Sequence, residues 1–281
     1  RWSSVFGLFP HPLVMLFMLL YAAVTRWSSI RRNLAGLVVY AVSFLIVVFP
    51  LAQFSLTHQD AVMARTRAVN VFKEVDAQDS YEPLRSNIEE SIRMMNVSGD
   101  ANGRHNIPGE PMLDEITAAL FVLGFAVSLW SYRDWRRGSL AVWYVAALIP
   151  GVLTITQENP SAIRGVGAIT PIYLMVAIGL ATIERSFALS RSGAQAFGVL
   201  VLLIAGAGTA INYHDFFDRQ YGDKVVYDSF FPAFREVAEL VADEGEQSKV
   251  FVSRDFAGEP VVSFLGRGKD YQGYTPATNI A

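Results

Sequence analysis

"LAGLVVYAVSFLIVVFPLAQF", residues 34–54, contains no Asp, Glu, Lys or Arg. A helix needs about 20 apolar residues to cross the hydrocarbon core of a bilayer. This run meets that length by itself. Five more uncharged apolar runs occur in the chain, at Val5–Val24, Ile116–Trp130, Leu140–Ile155, Val166–Ile183 and Ala194–Ile211. Two are slightly short as counted, and flanking Met112, Leu113 and Thr156 extend them. The composition agrees, with 52% hydrophobic and 17% charged residues over 281 positions. Mean hydropathy is +0.30. Charges fall between the runs, a pattern that buried helices of a soluble core do not need. The expectation is a mainly α, polytopic membrane helix bundle with six transmembrane helices.

The charges between the runs orient that bundle. Arg26, Arg31 and Arg32 lie in one short loop, Arg133, Arg136 and Arg137 in another, and Arg185 and Arg191 in a third. These loops alternate with the others, so all three share one side. Short Arg-rich loops mark the cytoplasmic side. Acidic residues concentrate on the opposite side, with Asp134 and Glu184 as exceptions. The expected location is the plasma membrane, multi-pass, with Ser55–Pro111, the loop at Glu158 and the tail from Asn212 extracytoplasmic. The expected domains are a transmembrane bundle over 1–212, with an outer loop at 55–113, and an extracytoplasmic α/β tail over 213–281.

Several classes of function are disfavoured. The net charge of −3 averages a basic inner face and a more acidic outer one. No basic stripe with interleaved aromatics points to nucleic acid. Cysteine is absent, which removes disulfides and thiolate metal sites. The four His residues, 11, 58, 105 and 214, have no metal-ligand spacing. No carboxylate cluster has it either, so neither a metal nor a cofactor is expected. The chain starts at Arg1, with no charged segment leading to a small-residue cleavage site. We therefore expect it to be the C-terminal part of a longer protein.

The outer segments carry patterns of their own. "AVMARTRAVNVFKE" (61–74) is compatible with a short helix. "EPLRSNIEESIRMMNV" (82–97) carries Leu84, Ile88, Ile92 and Met95 at helical spacing, which predicts a helix lying along the membrane surface or capping the bundle, with the stripe used for packing. "VSGDANGRHNIPGEPMLDE" (97–115) is rich in Gly, Pro, Asn and Asp and reads as a structured loop. Asp114 and Glu115 start the next helix, where carboxylates complement the positive helix end. In the tail, "FFPAFREVAELVADEG" reads as an amphipathic helix ending at Gly245. "KVFVS" (249–253) and "VVSFL" (261–265) read as short strands. The end, "YQGYTPATNIA", reads as unfinished or disordered.

Two stretches carry a resemblance. "NVSGDANGRHNIPGEPMLD" and "ENPSAIRGVGAITPIYLMVAIGLA", separated by a transmembrane helix and a basic loop, resemble the C-terminal half of bacterial family 39 membrane glycosyltransferases. These are relatives of protein O-mannosyltransferases and the lipid A aminoarabinose transferase, with the GT-C membrane fold. The resemblance implies transfer of a sugar from a polyprenyl-phosphate-linked donor to an unknown extracytoplasmic acceptor. In that family the usual base is an Asp in the first outer loop, to which no residue here corresponds. The catalytic base is then expected upstream, and this fragment alone is expected to be inactive.

The candidate donor-phosphate or substrate-binding residues are Arg164, Glu158, Arg104, His105 and Asn106. A charge in hydrocarbon costs about 2.5–3.5 kcal/mol, so Glu158 and Arg164 belong at the interface or in a polar cavity. The planar fork of Arg164 suits phosphate oxygens. Glu158 would orient Arg164 or bind a sugar hydroxyl. A structural ion pair between the two is the competing reading. Arg104, His105 and Asn106 would engage phosphate or sugar, or stabilise their loop. His105 would also shuttle a proton. Asp100 reads as an Asx-turn residue. The loops at 98–109 and 156–171 are expected to meet and wall one cavity, with Arg104 and Arg164 pointing inward. A transporter or a non-catalytic membrane scaffold is the alternative. Charge at the helix ends rather than the midplane argues against a transporter.

Overall fold

The computed structural model describes residues 10–25, 34–60, 64, 68–187 and 190–275. The inner loop with Arg26, Arg31 and Arg32, most of 61–67 and the last six residues lie outside the described residues. The chain is mainly helical. It divides into two units, the first ending at Phe216 and the second running from Phe217.

The first unit contains helices α1 (Pro10–Thr25), α2 (Leu34–Thr57), α3 (Phe72–Gln78) and α4 (Glu82–Arg93). After the loop come α5 (Glu115–Trp130), α6 (Trp135–Val152), α7 (Ile169–Phe187) and α8 (Arg191–His214). Among the described residues, three stretches are long and apolar enough to cross a membrane: Leu34–Thr57, Val166–Phe187 and Arg191–Gln220. α5 is apolar but shorter, at 16 residues. α6 uses its first turn on Trp135, Arg136, Arg137 and Gly138, which leaves less apolar length. Helix length and composition therefore supply three spans, where the apolar runs of the sequence predict six.

α2 and α8 contain no buried residue although both are apolar. Apolar surface on that scale is not left to water by a stable monomer and marks a membrane or partner contact. α5, α6 and α7 form a core in which Phe121, Tyr144 and Met175 are buried together with Met94 and Met95, just past α4. α5 and α7 touch backbone to backbone. A Cβ on Gly124 would stand 1.7 Å from the Met175 carbonyl oxygen, and one on Gly179 would stand 2.4 Å from that of Leu120. Small residues permit such close packing where a hydrophobic driving force between helices is missing.

α4 corrects the expected stripe. Ile88 and Ile92 are exposed, and Leu84 is only half-buried. The buried row is Pro83, Asn87, Ser91 and the following Met94 and Met95. Polar side chains occupy that row because they hold the neighbouring loop.

The second unit holds α9 (Lys224–Ser229), α10 (Pro232–Glu244), β1 (Val250–Ser253), α11 (Arg254–Ala257), α12 (Pro260–Leu265) and β2 (Tyr271–Tyr274). Ala238, Val241, Val252 and Val262 form its core. β1 and the amphipathic helix to Gly245 match the sequence reading. "VVSFL" does not, since residues 261–265 are helical. Pro260 at the first turn and Gly266 just past the end are helix-boundary residues. They outweigh the β-branched pair. The strand beside β1 is instead β2, paired parallel from Val250–Tyr271 to Ser253–Tyr274. The stretch expected to be unfinished thus supplies half of the sheet.

Candidate functional site: two loops joined through Asp100

The loop after α4 is closed at its neck by backbone bonds. Gly99 N–H donates to the Gly109 carbonyl, and Gly109 N–H to that of Asp100, both at 3.2 Å. Gly99 admits no side chain, because a Cβ would stand 2.1 Å from the Glu110 carbonyl oxygen. Gly109 sits at φ 78°, a conformation that favours glycine. The Asn106 amide donates to the Glu110 carbonyl at 2.6 Å. Asn106 therefore braces the loop.

Asp100 is the centre of this loop. Its Oδ1 accepts from the Asn102 N–H at 2.8 Å, the expected Asx turn. Its Oδ2 does more. It lies 2.8 Å from His105 Nδ1 and accepts from the Ala162 N–H at 2.9 Å. The carboxylate is buried and the imidazole largely so. A carboxylate only accepts, so His105 Nδ1–H is the donor in this contact.

The second loop is held just as closely. Ile155 N–H donates to the Val69 carbonyl at 2.9 Å, and Val71 N–H to that of Leu153 at 3.2 Å. Glu74 Oε2 accepts from Thr156 N–H at 3.0 Å and from its hydroxyl at 2.7 Å, fixing the 3-10 turn Thr156–Glu158. The buried row of α4 then grips the loop. Asn87 Nδ2 donates to the carbonyls of Val152 and Thr154 at 3.0 and 2.6 Å. Ser91 Oγ donates to Asn159 Oδ1 at 2.9 Å, and Asn159 Nδ2 donates back to the Asn87 carbonyl at 3.1 Å. The Asn159–Pro160 bond is cis.

Arg164 and Glu158 meet across this loop. Arg164 Nη2 donates to Glu158 Oε2, and Nη1 lies 3.5 Å from the Glu158 carbonyl oxygen. The Arg164 side chain is 12% exposed and that of Glu158 is 30% exposed. The pair is thus at the margin of the packed region, within reach of water.

The structure therefore joins the two loops, as their sequences predict. Asp100 holds His105 of the first loop and Ala162 of the second, two residues before Arg164, while Asn106 bonds within the first loop and Glu158 with Arg164 within the second. Arg104 is exposed, with its backbone N–H on Asn102 Oδ1 at 3.1 Å. Among the described residues no group of three or more His, Asp or Glu is placed to hold a metal.

Sequence reasoning missed Asn87, Ser91, Asn159 and Glu74. A signal was present. Pro83, Asn87, Ser91 and Met95 recur every four residues, the spacing of one helix face. A polar pair within such a row marks a buried hydrogen-bonding face.

Asp114 anchors the far end of the loop. As N-cap of α5 it accepts from the N–H groups of Ile116 and Thr117 at 3.1 and 3.0 Å. Its other oxygen accepts from the Thr117 hydroxyl at 2.7 Å and the Asn212 amide at 3.1 Å. Burial alone would push this carboxyl up, but the hydrogen bonds from Thr117, Asn212 and Ile116 together hold it below its ordinary value. No family model, curated protein or solved structure matches the chain.

Proposed function

We propose that the chain takes part in transferring a sugar from a polyprenyl-phosphate-linked donor to an extracytoplasmic acceptor, as a GT-C-type membrane glycosyltransferase. In this reading six helices cross the plasma membrane, and both loops and the tail face outward. One observation supports it. The hydrogen bond from Ala162 to Asp100 unites the two loops that carry the family resemblance, on the same carboxylate oxygen that holds His105 and two residues from Arg164.

In the reaction, an acceptor hydroxyl oxygen bonds to the anomeric carbon. The bond from that carbon to phosphate oxygen breaks, and the lipid phosphate leaves. The acceptor proton passes to a base, which we assign to no residue of this chain. Arg164 offers its guanidinium N–H groups to phosphate oxygens as charge builds on the leaving group. Glu158 holds that fork in place before the donor arrives. His105, oriented by Asp100, presents Nε2 to a sugar hydroxyl.

The closed Glu158–Arg164 pair favours a second reading, a non-catalytic membrane scaffold in which the pair only stabilises its loop. A transfer assay separates the two. Membranes containing the full-length protein are given polyprenyl-phosphate hexoses and pentoses, and free polyprenyl phosphate is measured. Release above that from membranes without the protein supports the enzyme. No release and no saturable donor binding with any sugar leaves the scaffold. Orientation is tested separately by single cysteines replacing Tyr132 and Ser248 in this cysteine-free chain. An impermeant thiol reagent added to intact cells should label position 248 and not 132, and the reverse pattern overturns the topology.

A further inference from the structure

We propose that residues 217–231 anchor the second unit in the headgroup layer of the bilayer, as an aromatic interfacial segment. Three observations carry this. The first is the length of the preceding apolar helix, Arg191–Gln220, at 30 residues. Its α-helical part, Arg191–His214, has 24 residues and at about 1.5 Å per residue spans roughly 36 Å. The hydrocarbon core is about 30 Å thick, so the π-helical end Asp215–Gln220 emerges at the headgroup layer.

The second observation is the set of aromatic rings around and beyond that helix end. Phe217, Tyr221, Tyr227, Phe230 and Phe231 are each more than half exposed, Tyr221 at 88%. Tyr collects at membrane–water boundaries because its ring is apolar and its hydroxyl polar, and the Phe rings beside it add apolar surface that sinks into the acyl boundary.

The third is that Tyr221, Tyr227 and Phe230 lie outside the unit's core, whereas Phe231 reaches it through Phe234 and Phe256. That core is built from Ala238, Val241, Val252 and Val262. The charged residues between the aromatics, Asp218, Arg219, Asp223, Lys224 and Asp228, suit headgroups rather than hydrocarbon. Asp223 also fixes the short helix α9, its Oδ1 accepting from Val226 N–H at 3.0 Å. These five charges sum to −1, from three Asp and two cations, so attraction to anionic lipid is not required. The partner is the interface of a zwitterionic bilayer as much as an anionic one.

The inference rests on Arg191–Gln220 crossing the bilayer and not on sugar transfer. These 281 residues contain no cysteine, and any cysteine elsewhere in the full-length protein is first replaced by serine. The full-length protein is reconstituted in phosphatidylcholine vesicles with single nitroxide-labelled cysteines. Tyr221→Cys, Tyr227→Cys and Phe230→Cys probe the segment, Leu202→Cys the helix and Asp243→Cys the exposed surface of α10. Collision rates with oxygen and with a water-soluble nickel chelate give depth. Position 202 should read as hydrocarbon and 243 as water. Positions 221 and 230 should lie between, with a several-fold loss of nickel collisions relative to 243. Adding phosphatidylglycerol should leave that pattern unchanged.

Water-like values at 221, 227 and 230 overturn the proposal. So does shielding from both reagents, which would mean a protein partner covers the segment. A water-like value at 202 overturns it by removing the span, whatever the transfer assay gives. Using three separate probe positions guards against one label disturbing the fold.

Discussion

Asp100 Oδ2 accepts from the Ala162 N–H at 2.9 Å while lying 2.8 Å from His105 Nδ1. One carboxylate oxygen thus ties a loop 62 residues away in sequence and orients an imidazole. Asp100 is buried in this role, so removing it strands its partners. Asp100→Ala leaves the N–H of half-buried Ala162 without its acceptor, at a cost of up to about 1–3 kcal/mol, while the exposed Asn102 N–H turns to water. The expected result is a clear drop in thermal stability of the detergent-solubilised protein. Asp100→Asn should also destabilise, because one amide position becomes a donor facing donors. An unchanged midpoint in both variants would mean that the loops are held together without Asp100.

The α5–α7 contact gives a second expectation. Any side chain at Gly124 meets the Met175 carbonyl. Gly124→Ala should therefore force the helices apart and cost about 1–3 kcal/mol, the usual range for overpacking. Gly206 on α8 has open space around its Cβ position. Gly206→Ala should be neutral or slightly stabilising, since Ala is favoured over Gly in a helix by about 0.5–1 kcal/mol. Equal behaviour of the two variants in thermal unfolding would refute the close approach.

Much of this fold is legible in the sequence, for identifiable reasons. Uncharged runs such as Leu34–Phe54 have one economical use, and the Gly/Pro/Asn-rich stretch from 97 to 115 lacks any helical period. The element at 261–265 is ambiguous because a short apolar run fits either a strand or a helix, and Pro260 and Gly266 decide it. The polar grip of α4 is easily missed because a stripe of Leu and Ile draws attention away from Asn87 and Ser91. At the site, the pairing of Glu158 with Arg164 follows from proximity in sequence. The link from Asp100 to Ala162 does not, since no local pattern encodes a bond across so many residues.

Asp114 yields an expectation in pH. Burial raises its carboxyl, but the hydrogen bonds outweigh that and hold it below the ordinary 3.8 in the folded chain. A depressed folded pKa contributes stability that is fully present above the unfolded pKa and is lost as pH falls through the folded pKa. Asp114→Ala should cost about 1 kcal/mol near neutral pH, as for other N-caps. The difference from the parent should stay flat from neutral pH to about 5 and shrink below the unfolded value of about 3.9. Denaturation midpoints of both proteins across that range make the comparison. A difference that does not change with pH would show that the ionised form contributes nothing special.

Arg164 decides between the two readings of the site. It is held by Glu158 and is 12% exposed, so a ligand must share or replace that partner. If it binds donor phosphate, Arg164→Ala removes a charge-assisted interaction worth about 1.5–3 kcal/mol. That corresponds to a loss of roughly 10-fold or more in donor affinity or turnover. Arg164→Lys should recover only part, because it keeps the charge and loses the bidentate fork. Glu158→Gln should hurt transfer less than Arg164→Ala, since it leaves the phosphate-binding group in place. The scaffold reading expects otherwise. There, both variants lower stability by similar amounts through loss of the same pair, and donor binding is absent throughout. Transfer from a polyprenyl-phosphate sugar in membranes, with protein level and unfolding measured in parallel, separates the outcomes. Undiminished donor use by a well-folded Arg164→Ala protein would return Arg164 to the role of loop stabiliser and leave phosphate recognition to other residues.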